Sequence, residues 1–304
     1  SGRGIRVLCD RGDRSARHKA ASTMLGALRL SLRPLPVLAA AAAATAATLH
    51  SAPPPSAAAG KEVAVVCGIG PGIGGSVAKR FGREGMVVAC VSRRLSSAEE
   101  AAEAIRAEGG EAVAFAADAS SPRDMVDVMK RIKAEIAPPT CLVYNIGPSI
   151  GSWPPPGATD ISIDFLQTQI TVGCTSAFAA AQAVLPDMVA AGKGTIIFTG
   201  ATAALRGSAS FITLSVPKFG LRSLAQSLAR EMHPKGVHVA HVIIDGPVLS
   251  PSTVAKMGRD GRPTRPLDTF LDPSDVADAY LALHRQPRSC WTHELELRPY
   301  SEKW

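Results

Sequence analysis

The chain has 304 residues, of which 46% are hydrophobic and 19% charged, and a formal net charge of +7. This length suits one large α/β domain with an extension, and the composition is that of a globular protein able to bury a full core. Residues 1–60 hold eight Lys and Arg against Asp10 and Asp13, so nearly all of the excess charge lies there. The remainder is close to neutral, and no nucleic-acid partner is expected.

No acidic residue stands between Asp13 and Glu62, and from Met24 the segment MLGALRLSLRPLPVLAAAAAATAATLHSAPPPSAAAG sets arginines among leucines before turning Ala- and Pro-rich. It reads as a cleavable organelle-targeting peptide starting at Met24, mitochondrial with plastid as the alternative; a flexible tail or a secretory signal would share the composition. Residues 1–23 read as translated upstream sequence. The apolar stretch 37–49 is shorter than the ~20 residues a spanning helix needs, so no stable membrane span is expected. The expected division is a leader over 1–60 and a nucleotide-binding domain over 61–304. The six cysteines form no CxxC pair and read as reduced core thiols, with no metal site expected.

From Lys61 onward, short runs rich in Val and Ile (EVAVVCG, MVVACVS, EAVAFAAD, TCLVYN, GTIIFTG, GVHVAHVII, HELEL) alternate with longer helical stretches. Such alternation predicts crossover units and a doubly wound parallel sheet, a single α/β domain of Rossmann type with helices on both faces. SAEE at 97–100 predicts a capping box opening the second helix. Ser121 before Pro122 and Asp272 before Pro273 predict caps with proline at the first helical position, where its missing N–H costs nothing. Met125, Val128, Met129, Ile132 and Ile136 recur at helical spacing and are assigned to the core.

CGIGPGIGGS at 67–76 lies between the first strand and the first helix, where free N–H groups and a positive dipole end suit a phosphate. Gly70, Gly72 and Gly75 fit one glycine spacing, and Gly68, Gly72 and Gly74 another. The second is preferred, because the tight turn should begin directly after the strand.

That spacing, together with the motifs downstream of it, resembles the short-chain dehydrogenase/reductase family over essentially all of 61–304. The resemblance implies an NAD(P) cofactor across the carboxyl ends of the strands. Its contacts would be Gly68, Gly72, Ile73 and Gly74 in the loop, Asp118 after the third strand, and Asn145 and Gly147 in YNIG at 144–147. Gly246, Val248 and Ser250 in IIDGPVLS would close over the nicotinamide, with Asp245 where the family has proline. At the end of the second strand Ser92 and Arg93 replace the acidic residue that would hold an NAD ribose. A hydroxyl and a guanidinium accept a 2′-phosphate that a carboxylate would repel, so NADP(H) is favoured over NAD(H).

The family's catalytic set is a tyrosine acid/base, a lysine four residues later, a serine and an asparagine. Lys218 matches the lysine, whereas the other positions fall on Leu214, on Ala201 in TGATAALRG, and near Gly173 in QITVGCTS. A variant with tyrosine seven residues before the lysine fails too, since Phe211 stands there. Lys218 keeps a role on the nicotinamide ribose. Of Tyr144, Tyr280 and Tyr300, Tyr144 lies nearest the expected crevice but is expected in the core. Thr202, Thr213 and Ser215 could donate a hydrogen bond, yet none releases a proton near neutrality without a base. Pro217 is expected in the first turn of its helix, the only place a helix tolerates it freely.

The resulting expectation is an NADP(H)-dependent oxidoreductase with a degenerate site, assembled as a homodimer or homotetramer and acting on a small organic substrate. The loop 147–160 and the segment 249–271 would line the substrate pocket. The alternative is a non-catalytic NADP(H)-binding sensor or scaffold.

Overall fold

The computed structural model describes residues 60–259 and 262–303; the leader, with the targeting function assigned to it, lies outside the described residues. The chain order is β1 (Val63–Cys67), α1 (Ile73–Arg83), β2 (Val87–Ser92), α2 (Leu95–Ala107), β3 (Glu111–Ala116), α3 (Pro122–Glu135) and β4 (Cys141–Tyr144). There follow α4 (Ile163–Ile170), a π-helical turn (Thr171–Thr175), α5 (Ser176–Ala191), β5 (Gly194–Thr199), a 3₁₀ turn (Thr202–Ala204), α6 (Ile212–Met232) and β6 (Val237–Ile244). The chain closes with α7 (Pro251–Met257), the two-residue strands β7 (Gly258–Arg259) and β8 (Arg262–Pro263), α8 (Pro273–Arg285) and β9 (Glu294–Leu297).

The seven predicted runs form one sheet in the order β3-β2-β1-β4-β5-β6-β9, with every pairing parallel. β1, β4 and β6 are buried at every position, which is why they read as unbroken apolar runs rather than as alternation. Side-chain alternation along each strand divides the core in two. Val63, Val65, Phe198 and Val239 face Met125, Met129 and Leu221, whereas Ala64, Val66, Ile197 and Ala240 face Val77, Phe81 and Tyr280. Helices α3, α5 and α6 thus cover one face and α1, α2 and α8 the other. The order reverses between β1 and β4, and the crevice at that switch point is where a nucleotide lies in such sheets.

Both predicted proline caps form: Ser121 Oγ accepts the Asp124 N–H at 3.2 Å, and Asp272 Oδ1 accepts the Ser274 N–H at 2.8 Å. The capping box at Ser97 does not. Helix α2 begins three residues earlier, at Leu95 after an uncapped Arg94, and the Ser97 N–H already bonds the Arg94 carbonyl. Arg93 and Arg94 are the entire connection from β2, and this early start brings Ala98, Ala102 and Ile105 down onto the sheet. Pro217 also departs from expectation, since α6 begins at Ile212 and sets the proline in its second turn.

Helices α4 and α5 run through the π turn as one rod over 163–191. It is long and apolar enough to cross a bilayer by length and composition, but half of that apolar window is buried inside the fold, as in core helices.

Candidate active site

The glycine loop is built by close approach. Gly68 has φ +94°, and a Cβ there would lie 3.0 Å from the Asn145 carbonyl carbon and the Ile146 nitrogen. A Cβ at Gly74 would meet the Gly68 carbonyl oxygen at 2.1 Å, so α1 starts closer to the loop than any side chain permits. Asn145 locks the arrangement from β4, its Nδ2 donating to the Gly68 carbonyl at 3.2 Å. Gly72 is the N-cap of α1 and supplies no side-chain cap, which leaves first-turn amides for an anion. A Cβ at Gly75 would likewise meet the Gly70 carbonyl oxygen at 2.4 Å, so glycines of both spacings are held by close approach, and the loop fits a dinucleotide pyrophosphate. Ile73 opens the helix, and Ser250 approaches from the far segment, its Cβ 3.8 Å from where a Gly72 Cβ would be.

Beside this loop opens a cavity of about 640 Å³, lined by Lys79, Ser92, Arg93, Arg94 and Ser97 among others. Ser92 ends β2 and Arg93 follows it, so the two predicted phosphate-side residues do share a pocket. Arg94 follows directly on Arg93 in the sequence reading, whereas Lys79 and Ser97 were not assigned to this pocket by it. Lys79 lies one turn beyond Ser76 on the loop-facing side of α1, a spacing that could have flagged it. Asp118 follows β3 and accepts the Ser120 N–H at 2.9 Å in a tight turn.

On the other side of the switch point, Lys218 is only 3% exposed and its Nζ donates to the Thr199 carbonyl at 2.5 Å. Burial without a carboxylate partner pulls its pKa down to about 8. Helix α6 packs on the 3₁₀ turn that follows Ala201 and on the π turn around Gly173. The elements that carry Leu214 and Lys218, Ala201 and Gly173 are thus packed against one another. At Gly173 a Cβ would sit 2.7 Å from the Pro217 Cβ and 3.3 Å from the Pro148 ring. The proline rings fill the volume that an asparagine side chain would need there.

Tyr144 is fully buried and its hydroxyl donates to the Val172 carbonyl at 2.6 Å; burial raises its pKa well above the ordinary value of 10. It is a core residue that helps hold the π turn. Tyr280 is equally buried, its hydroxyl 2.8 Å from Thr199 Oγ1 on the opposite face of the sheet. Tyr300 is 79% exposed on the closing segment.

Asp245, in the proline position, is 2% exposed. Burial works against its ionisation, but the Thr202 hydroxyl and the Arg298 guanidinium outweigh that and hold the carboxyl below its usual range. The carboxylate ties the turn after β5, the end of β6 and the segment after β9 together. Gly246 has φ +149° with Pro299 packed against it, and Val248 bridges to Leu271. Gly147 has open space around its Cα. Behind the site His241 is fully buried, its Nδ1 3.4 Å from a Glu294 carboxylate that pairs bidentately with Arg222. Sequence reading passed over this trio because its members lie on three separate elements. No group of three or more metal-ligating side chains occurs among the described residues.

A family model described as short chain dehydrogenase matches residues 62–257. A solved short-chain dehydrogenase from Rhodopseudomonas palustris is 33% identical with a TM-score of 0.65, covering 79% of this chain and 99% of that one. A metagenomic short-chain oxidoreductase in complex with NADP is 25% identical with a TM-score of 0.66, covering 79% and 98%. Glycine betaine reductase of Emericella nidulans is 27% identical over 245 residues, 79% of this chain, and the chain spans 19% of that protein's length. With the parallel sheet, the glycine cradle and the buried lysine already in place, the match over 62–257 establishes that this chain belongs to the short-chain dehydrogenase family of oxidoreductases.

Proposed function

We propose that the protein is an NADP(H)-dependent reductase whose catalytic set is reduced to Lys218, slow toward ordinary carbonyls and acting on a small organic substrate. The observation that carries the reading is the pairing of the Gly68–Gly74 cradle with an adjacent cavity lined by Lys79, Arg93 and Arg94. Gly72, Ile73 and Gly74 would hold the pyrophosphate, Ser92 and Arg93 the 2′-phosphate, and Asp118 the adenine. Asn145 and Gly147 would border the nicotinamide ribose, with Lys218 on its hydroxyls, and Gly246, Val248 and Ser250 would cover the ring. When bound, the dihydronicotinamide supplies a hydride. The NADP in the metagenomic relative supports this assignment.

Guanidinium–phosphate hydrogen bonds are charge-assisted and contribute roughly 1.5–3 kcal/mol each. NADPH is therefore expected to bind more tightly than NADH, and Arg93→Ala to erode that preference by about 10-fold or more, read by fluorescence titration. Equal affinities in the wild type would remove the NADP(H) assignment.

A second reading, a non-catalytic NADP(H) sensor or scaffold, draws on Leu214, Ala201 and Gly173 standing where the family has reactive side chains. A panel of carbonyl, enone and iminium acceptors separates the two: tight NADPH binding with no acceptor turned over favours the sensor. We further place the protein in the mitochondrion, or failing that a plastid, as a homodimer or homotetramer. A reporter carrying residues 24–60 is expected to enter the organelle, and a wholly cytosolic reporter would refute this.

A further inference from the structure

We propose that Lys218 itself is the general acid of this site: its ammonium, in place of the absent phenol, gives the proton to the substrate oxygen. The inference rests on the reductase reading above and goes beyond it by naming the proton donor.

Three observations carry it. The first is position. Leu214 and Lys218 are four residues apart on α6, hence on one face, and helical side chains lean toward the N-terminus. Lys218 therefore shares a helix face with the position a tyrosine at 214 would take, and its Nζ ends at the Thr199 carbonyl, two residues before Ala201. The second is that the lysine is not committed to an acid. It is 3% exposed, it donates to the Thr199 carbonyl, and no carboxylate pairs with it among the described residues.

The third is that the neighbouring phenols and the Thr202 hydroxyl are bonded elsewhere, while the unpartnered Thr213 hydroxyl and the His241 imidazole are buried. The Tyr144 hydroxyl is bound to Val172 in the core, Tyr280 lies across the sheet on Thr199, and the Thr202 hydroxyl is held by Asp245. His241 packs its Nε2 against Gly200, where a Cβ would lie 2.4 Å away, and is fully buried. The titratable group facing the lysine is His241 on β6, which in turn faces Arg222 on α6 and Glu294 on β9. Glu294 is taken up by Arg222 at 2.6 Å, and burial keeps His241 neutral until about pH 4.

A pKa near 8 suits the role, because a group that both holds and yields its proton close to neutrality is the best general acid there. In the step itself the carbonyl carbon accepts the hydride and the C=O π pair moves onto oxygen. That oxygen takes a proton from Lys218 Nζ, and the neutral amine recovers one from water. Reduction of an iminium, by contrast, is complete once its carbon has accepted the hydride, since the π pair simply neutralises nitrogen. Carbonyl reduction should therefore fall above about pH 8, and alcohol oxidation should rise through the same range.

The test uses the full chain in two arms. In protein carrying 13C-labelled lysine, without nucleotide, one Cε resonance should titrate near pH 8 and vanish in Lys218→Arg. A Lys218 midpoint at the ordinary 10.5 would overturn the proposal. In the second arm, ketone and preformed N-alkyl iminium turnover are compared at saturating NADPH in wild type, Lys218→Arg and Lys218→Met. NADPH fluorescence reports that each variant is folded and loaded. A loss of ~10²-fold or more on the ketone, with the iminium changed less than about 10-fold, supports the proton role. Equal losses on both acceptors would make Lys218 a cofactor-positioning group only. Undiminished ketone turnover in the variants overturns the proposal and leaves the reductase reading standing, whereas a wild type inert toward both acceptors removes the two together.

Discussion

At the scale of single residues, the proposed site is defined as much by what it lacks as by what it keeps. In that proposal Leu214 and Ala201 take the positions of a phenol and a hydroxyl that would assist carbonyl reduction, and Lys218 is buried one helical turn beyond Leu214. If those two positions are the deficit, Leu214→Tyr with Ala201→Ser should raise ketone turnover measurably above what the Lys218 ammonium supports alone, because the new phenol is a second positioned donor whose pKa the lysine can depress. Steady-state kinetics on the double variant decides it; unchanged turnover would mean that geometry, not residue identity, limits the site. Sequence alone led to Lys218, Leu214, Ala201 and the glycines, because each is marked by its spacing from a motif. The Arg222–Glu294–His241 group carries no such mark, and only the packing of separate elements brings its members together.

At the scale of elements, the π turn at Thr171–Thr175 and helix α6 are mutually adjusted. Pro217 cannot donate an N–H to the Thr213 carbonyl, and the Thr213 hydroxyl is buried without a partner, so α6 accepts two polar deficits at its start. In return the proline ring packs directly over Gly173. In an ordinary helix Gly→Ala stabilises by about 1 kcal/mol. At Gly173 the sign should reverse. The added methyl lies 2.7 Å from a ring fixed to the backbone, and overpacking of that kind costs roughly 1–3 kcal/mol. Urea unfolding should show Gly173→Ala destabilised in the wild-type background and recovered when Pro217→Ala is added. A stabilised single variant would show that the ring can move, and that a relay asparagine could be accommodated after all.

At the scale of the whole molecule, stability should carry a histidine signature. Burial lowers the pKa of His233, His238, His241 and His284, and takes His241 from 6.5 to about 4. The unfolded chain therefore binds protons that the native state refuses, and stability present above pH 6.5 is lost as the pH falls toward 4. A shift of that size in one fully buried imidazole is about 3 kcal/mol. His241→Asn should flatten the stability profile between pH 6.5 and 5, measured by urea midpoints, above the range in which Glu62, Glu294 and Asp245 begin to protonate. An equally steep profile in the variant would assign the effect to the other three histidines.

What the sequence determined by itself is whatever depends on local pattern. Seven short strand-like runs alternating with helical stretches are satisfied by a parallel sheet covered on both faces, and Gly68 and Gly74 stand at a backbone approach that any Cβ would block. Ser121 and Asp272 cap their helices because a cap needs only its own first turn. The tertiary structure decided what depends on neighbours distant in sequence. It moved the start of α2 ahead of its capping box so that Ala98 and Ala102 could reach the sheet, and it set Pro217 a turn deeper than propensity allows because Gly173 left room for the ring. It also gave Lys218 its lowered pKa, since desolvation is a property of everything packed around the amine and of nothing in the lysine's own stretch of chain.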